Sequence, residues 1–168
     1  MSKEVFLDIG AGFGERFIRR ARENPDQKFL VVESSGPSLE PLPENLEWLV
    51  EAIEEENQLS IEDNFVDEVN LDFILSTLYA DDKETLIPEA LTESMRVLKE
   101  GGSFFIREPK YMLELLEPVL RKQNLDFSVE PIPKQEIEQQ SLGVQEAYLE
   151  FKNGKVEMEP YLIRVKID

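Results

Sequence analysis

The chain predicts an α/β fold: a doubly wound, Rossmann-like, mostly parallel sheet with an antiparallel C-terminal edge. Three observations predict it. Short apolar runs ending in acids alternate with helical patterns as far as about residue 108. A glycine loop joins the first run to the first helix, and beyond residue 108 the pattern turns β-rich. At 168 residues the chain predicts one domain, 1–168, with a glycine-loop half over about 1–108 and a C-terminal helix and antiparallel strands over about 109–168.

The first run, Val5-Phe6-Leu7, reads as a buried strand that ends in Asp8 and enters Gly10-Ala11-Gly12-Phe13-Gly14. A helix over 14–23 follows, with Phe17, Ile18 and Ala21 on one face, and Asn24-Pro25-Asp26 stops it. Phe29-Leu30-Val31-Val32 is a second strand ending in Glu33. The connection Ser34 to Pro43 is loop-rich, with room for a helix of one or two turns. Leu46 to Val50 is a third strand, followed by Glu51-Ala52 and an acidic stretch to Gln58. A fourth strand lies within Val66 to Phe73. Residues 88–102 carry Leu91, Met95 and Leu98 on one helical face, and Gly101-Gly102 is expected to end that helix. Ser103 to Ile106 is a fifth strand. A helical stripe of Met112, Leu115, Leu116, Val119 and Leu120 spans 111–123, and Pro118 predicts a kink or restart inside it. Phe127 to Glu130 and Tyr161 to Ile167 read as the last strands. Between them, Asn153-Gly154 fits either a hairpin joining 146–152 to the last strand or a helix cap, and 134–153 stays ambiguous.

Composition removes several kinds of chemistry. The chain has no cysteine and no histidine, so disulfides, thiolate metal sites, histidine-ligated zinc and Ser-His-Asp machinery are excluded. No metal site is predicted. A base working near neutral pH would have to be a shifted Glu, Asp, Lys or Tyr. The net charge of −18 is ill-suited to neutralising nucleic-acid phosphates. Arg16, Arg19, Arg20 and Arg22 form the one basic cluster, expected as a solvated outer face or, alternatively, a docking patch for an acidic partner. No apolar run approaches the ~20 residues of a membrane span, and no signal peptide precedes the first strand, so no membrane partner and a cytoplasmic location are expected.

The glycine loop carries the chemistry. The dinucleotide fingerprint G-x-G-x-x-G would need its third glycine at Glu15; the spacing here is D-x-G-x-G-x-G. An acid just ahead of the glycines would repel a pyrophosphate and suit a cationic amino group. Glu33, about 20 residues on, is placed to accept from a ribose. Asp8, Gly10, Glu33 and Glu51 all fall at the carboxyl ends of strands, where such sheets bind ligands.

In these residues the chain resembles the class I S-adenosylmethionine-dependent methyltransferases, over about residues 4–108. The resemblance implies S-adenosylmethionine as cofactor, bound by Asp8, Gly10, Ala11, Gly12, Gly14, Glu33, Ser34, Glu51 and Ala52, with Glu51 accepting from the adenine amino group. It also implies that Asp67 fixes the loop ahead of the fourth strand. Residues 66–73 are similar to the tRNA guanine-N7 branch, but that branch's Asp-Pro-Trp-Pro-type segment and basic run are replaced by Ile74 to Asp82. The Asn/Asp-Pro-Pro-Tyr clamp of amino-group methylating relatives is missing as well. A small-molecule or protein acceptor is therefore expected ahead of nucleic acid, with Asp72, Ser76 and Tyr79 as candidate catalytic residues facing it. Relatives commonly have helices ahead of the first strand; without them the site stays open, or a protein partner or later insertions cover it. The function implied is methyl transfer to an unidentified acceptor. The alternatives are a non-catalytic methyltransferase-like scaffold and a nicotinamide-dependent reductase, and Asp8 and Glu15 argue against the reductase.

Overall fold

A computed structural model describes residues 3–12, 14–37, 41–54, 57–133 and 160–166. Seven strands, β1 (Val5–Ile9), β2 (Lys28–Glu33), β3 (Leu46–Val50), β4 (Val66–Asp72), β5 (Leu98–Pro109), β6 (Asp126–Pro131) and β7 (Pro160–Lys166), form one sheet in the order β3-β2-β1-β4-β5-β7-β6. The first five pair in parallel, and β7 runs antiparallel to both β5 and β6. The order reverses between β1 and β4, which opens a crevice at their carboxyl ends.

Strand alternation decides what each face of the sheet buries. Phe29 and Val31 of β2 pack under Phe17, Ile18 and Ala21 of α1 (Glu15–Glu23). Leu30 and Val32 point the other way, into a larger core shared with α2 (Ile74–Ala80), α3 (Ile87–Val97) and α4 (Leu113–Lys122). Asp67 accepts the Val5 N–H at 2.8 Å and binds Lys99, tying the start of β1 to the start of β5.

Three expectations are corrected. The short helix expected between β2 and β3 is not one of them: residues 34–37 and 41–45 are loop or turn, and 38–40 lie outside the described residues. Helix α3 ends at Val97, not at Gly101-Gly102: Leu98 already pairs with Val66, and the chain then bulges through the glycines before Ser103 pairs with Glu68. Helix α4 does not restart at Pro118, which sits inside it. On that helix Met112, Leu116 and Leu120 make the buried stripe, and Leu115 faces solvent. The hairpin or cap at Asn153-Gly154 and the 146–152 strand lie outside the described residues.

Candidate active site

The chain leaves β1 through Gly10, whose N–H donates to the Val32 carbonyl at 2.8 Å. Gly10 has φ +75°, and a Cβ there would lie 2.6 Å from the Ile74 side chain at the start of α2. No other residue type meets both demands. The loop closes at Gly14, φ +68°, which donates to the Ala11 carbonyl at 2.9 Å and accepts from Ile18 N–H at the head of α1. The Trp48 ring of β3 packs against Gly14, so a Cβ would lie 2.4 Å from it, and the Trp48 indole donates to the Ser35 carbonyl at 2.8 Å. One aromatic side chain thus locks the glycine loop to the loop after β2.

Around the loop lies a cavity of about 410 Å³, within the size range of small-molecule sites. Of the residues expected to bind cofactor, Asp8, Gly10, Ala11, Gly12, Glu33, Ser34, Glu51 and Ala52 line it. Gly14 stands behind it, at the cap of α1. Glu33 accepts from the N–H of Gly12 at 2.8 Å and from both the N–H and hydroxyl of Ser34. Glu51 accepts from the N–H and hydroxyl of Ser60.

Asp8 sits on the cavity floor, 3% exposed, and its Oδ1 has no hydrogen-bond partner among the described residues. Burial pushes its carboxyl up to about 6, although Arg16, Arg107 and Arg20 pull the other way. An unpaired oxygen this deep calls for a donor.

Of the three acceptor candidates, only Asp72 lines the cavity. It is held in an ion pair with Arg16 and a second with Arg107 at 2.9 Å. Ser76 is buried and its hydroxyl donates back to the Phe73 carbonyl at 3.0 Å. Tyr79 is exposed on another side of α2 from the wall made by Ile74, Thr77, Leu78 and Asp81.

Two parts of the site escaped the sequence reading. One is the α2 wall itself. The other is Arg16, read as part of a solvated basic face. Arg16 instead lines the cavity, and Arg20 pairs with Glu68 at 2.9 Å while lying over the rings of Phe6, Phe17 and Phe29. The signal was the alternation Glu68, Asn70, Asp72, which puts three polar groups on one face of β4, opposite two arginines one helical turn apart.

Solved structures share this fold. The 16S rRNA methyltransferase KamB matches with a TM-score of 0.68 and 17% identity, over 99% of this chain and 88% of that one. The 16S rRNA (adenine(1408)-N(1))-methyltransferase of Catenulisporales acidiphilia, a W203A mutant with cosubstrate S-adenosylmethionine, matches with a TM-score of 0.65 and 14% identity, over 99% and 87%. Precorrin-6y C5,15-methyltransferase of Geobacter metallireducens matches with a TM-score of 0.62 and 16% identity, over 100% and 82%. The fold is a class I methyltransferase fold. At these identities the likeness extends to the fold alone. No family model matches the chain, and no curated protein matches it. No helix among the described residues is long and apolar enough to cross a membrane.

Proposed function

We propose that the chain binds S-adenosylmethionine in this cavity and transfers its methyl group to an acceptor. The unpartnered Oδ1 of Asp8 beneath the glycine loop carries the reading, because it asks for a cationic donor in the place where this fold cradles its ligand. The residues fit the cofactor: Asp8 for its ammonium, Glu33 for the ribose hydroxyls, and Glu51-Ala52 at the rim for the adenine. Bound there, the cofactor supplies an activated methyl group.

The protein's own part is alignment and exclusion of water. Gly10 and Gly12 let the backbone approach, and Ile9, Val32, Ile74 and Leu78 supply apolar wall. Holding two reactants in line removes on the order of 7–11 kcal/mol of barrier, which needs neither histidine nor cysteine. The net charge of −18 favours a small-molecule or protein acceptor over nucleic acid, although several of the structures sharing the fold are rRNA methyltransferases.

Titration calorimetry with S-adenosylhomocysteine tests the cofactor, and no binding at millimolar ligand overturns it. Labelled cofactor incubated with a cell extract then tests transfer. A scaffold without activity is the second reading, favoured by the internal partners that occupy Asp72 and Ser76. Binding without any labelled product would support it.

A further inference from the structure

Among the described residues the exposed large apolar side chains are Val50, Tyr79, Tyr111 and Leu115. Val50 ends β3 at one edge of the sheet, whereas the other three gather on one side of the molecule. Tyr79 lies on α2 and is 43% exposed. Tyr111 lies in the 3₁₀ turn Lys110–Met112 that runs into α4, and is 40% exposed. The Tyr111 hydroxyl hydrogen-bonds Ser76, one turn before Tyr79 on the same side of α2, and Tyr111 is close enough to feel Tyr79. Leu115 follows Tyr111 by four positions and stands one turn along the same side of α4, clear of the buried Met112 and Leu116. Single exposed apolar residues are ordinary, but a group of them drawn from two separate elements marks a contact surface.

Shape and charge narrow the partner. Tyr79, Tyr111 and Leu115 line neither the glycine-loop cavity nor a second hollow beside Lys28 and Glu47. Small molecules are held in concave sites, so an open face of this kind suits a macromolecule. Asp82, Glu84 and Glu114 flank the patch in the chain; all three are exposed and form no ion pair among the described residues. The lysines of the same segments face elsewhere: Lys83 lines the cavity, and Lys110 lies over the Tyr161 ring at 5.9 Å. The whole chain carries −18. A nucleic acid, an anionic membrane or a second copy of this chain would meet its own sign of charge. A cationic segment meets the opposite sign, and the exposed tyrosine rings attract an ammonium group to their faces.

We propose that Tyr79, Tyr111 and Leu115 form a docking surface for a lysine-rich segment of a partner protein. The tyrosine rings take its ammonium groups, and Leu115 packs against the apolar stems of its side chains. The surface goes beyond the methyl-transfer reading and does not depend on it. It shares α2 with the cavity wall, so a segment seated there lies beside the glycine-loop site.

Fluorescence anisotropy with a labelled peptide of alternating lysine and alanine, at an ionic strength of about 0.15 M, tests the surface. The parent chain should bind this peptide and should not bind the matching peptide of glutamate and alanine. Tyr79→Leu combined with Tyr111→Leu keeps apolar bulk and removes the aromatic faces. It should weaken the lysine peptide roughly five- to twentyfold, from about two- to fivefold for each ring. Glu114→Lys should weaken it more than Glu62→Lys, which makes the same change of charge beside Lys28 and Glu47, away from the patch. Thermal melting checks that each variant is folded; should the double leucine variant not fold, the two charge reversals still decide. Equal effects of the two reversals, or undiminished binding by the double variant, would reduce the attraction to the net charge of the chain and overturn the docking surface. Absence of peptide binding by the parent chain overturns it as well.

Discussion

The Gly12 N–H donates to Glu33 Oε2 at 2.8 Å, across 21 positions of sequence. This bond ties the glycine loop to the end of β2, and Ser34 holds the other oxygen of the same carboxylate at 2.8 and 2.9 Å. The loop is thereby shaped before any ligand arrives, so less ordering cost falls on binding. Glu33→Ala should weaken S-adenosylhomocysteine by roughly 1.5–3 kcal/mol, the worth of a hydrogen bond to a charged group. Its melting temperature should change little, since these bonds lie at the exposed rim. An unaltered Kd for the variant would take Glu33 out of the site.

The three loop glycines should separate into two kinds. Gly10→Ala and Gly14→Ala place a Cβ 2.6 Å from Ile74 and 2.4 Å from Trp48, both at positive φ. Each should lose on the order of 2–4 kcal/mol of stability from overpacking and left-handed strain combined. Gly12 also has positive φ, +57°, but a Cβ there has nothing within 4 Å. Gly12→Ala should cost only the strain, roughly 1–2 kcal/mol, and lose ligand affinity because Gly12 lines the cavity. Urea unfolding alongside calorimetry checks both halves; equal destabilisation of all three would contradict the packing described.

Asp8 couples stability and binding to pH with opposite signs. Its ordinary value is 3.8, and burial raises it to about 6 in the folded protein. The native state therefore holds a proton that the unfolded chain has released between those values, and stability falls as pH rises through that window. Asp8→Asn should make the protein more stable at pH 7, on the order of 2–3 kcal/mol, and flatten stability between pH 4 and 6. Affinity for S-adenosylhomocysteine moves the other way: in the parent chain it should fall as pH drops below about 6, and in the variant it should be weak at every pH. A variant that binds as tightly as the parent at pH 7 would separate Asp8 from the ligand's ammonium.

What the sequence disclosed and what it hid follow from physical range. Strands β1, β2, β3 and β5 announce themselves by apolar runs, and Asp8, Glu33 and Glu51 by where those runs stop, because both signals are local. Helix α2 gives no such signal. It is seven residues long, and its cap position is Phe73 in a left-handed conformation, φ 60°, where a polar cap would be expected. The Glu108 carboxylate, 32 and 33 positions away in sequence, receives its first amides instead. Arg16 misleads for the same reason: an arginine-rich helix face reads as solvated until β4 supplies Glu68, Asn70 and Asp72 opposite it. The acceptor candidates were chosen by position along the chain; Arg16 and Arg107 had claimed Asp72, and the Phe73 carbonyl had claimed the Ser76 hydroxyl.

Glu108 itself offers the last prediction. Its carboxyl is fully buried and accepts from Leu75 N–H at 2.8 Å and Ser76 N–H at 3.2 Å. Burial pushes it up to about 8 from 4.5, and the bonds from Ser76 and Leu75 oppose that shift without cancelling it. The folded value lies above the unfolded one, so the protonated carboxyl favours the native state and that contribution disappears as pH climbs towards 8. Glu108→Gln keeps an acceptor oxygen for one of the two α2 amides and removes the charge. Relative to the parent it should gain up to roughly 4 kcal/mol of stability between pH 4 and pH 8.5. Glu108→Leu removes the remaining acceptor as well, so it should be less stable than Glu108→Gln at every pH, by about 1–3 kcal/mol. Urea midpoints across pH 4 to 9 test the ordering. Identical pH profiles for the parent and Glu108→Gln would mean that the carboxyl does not titrate in this range, and the α2 anchor would then be insensitive to pH.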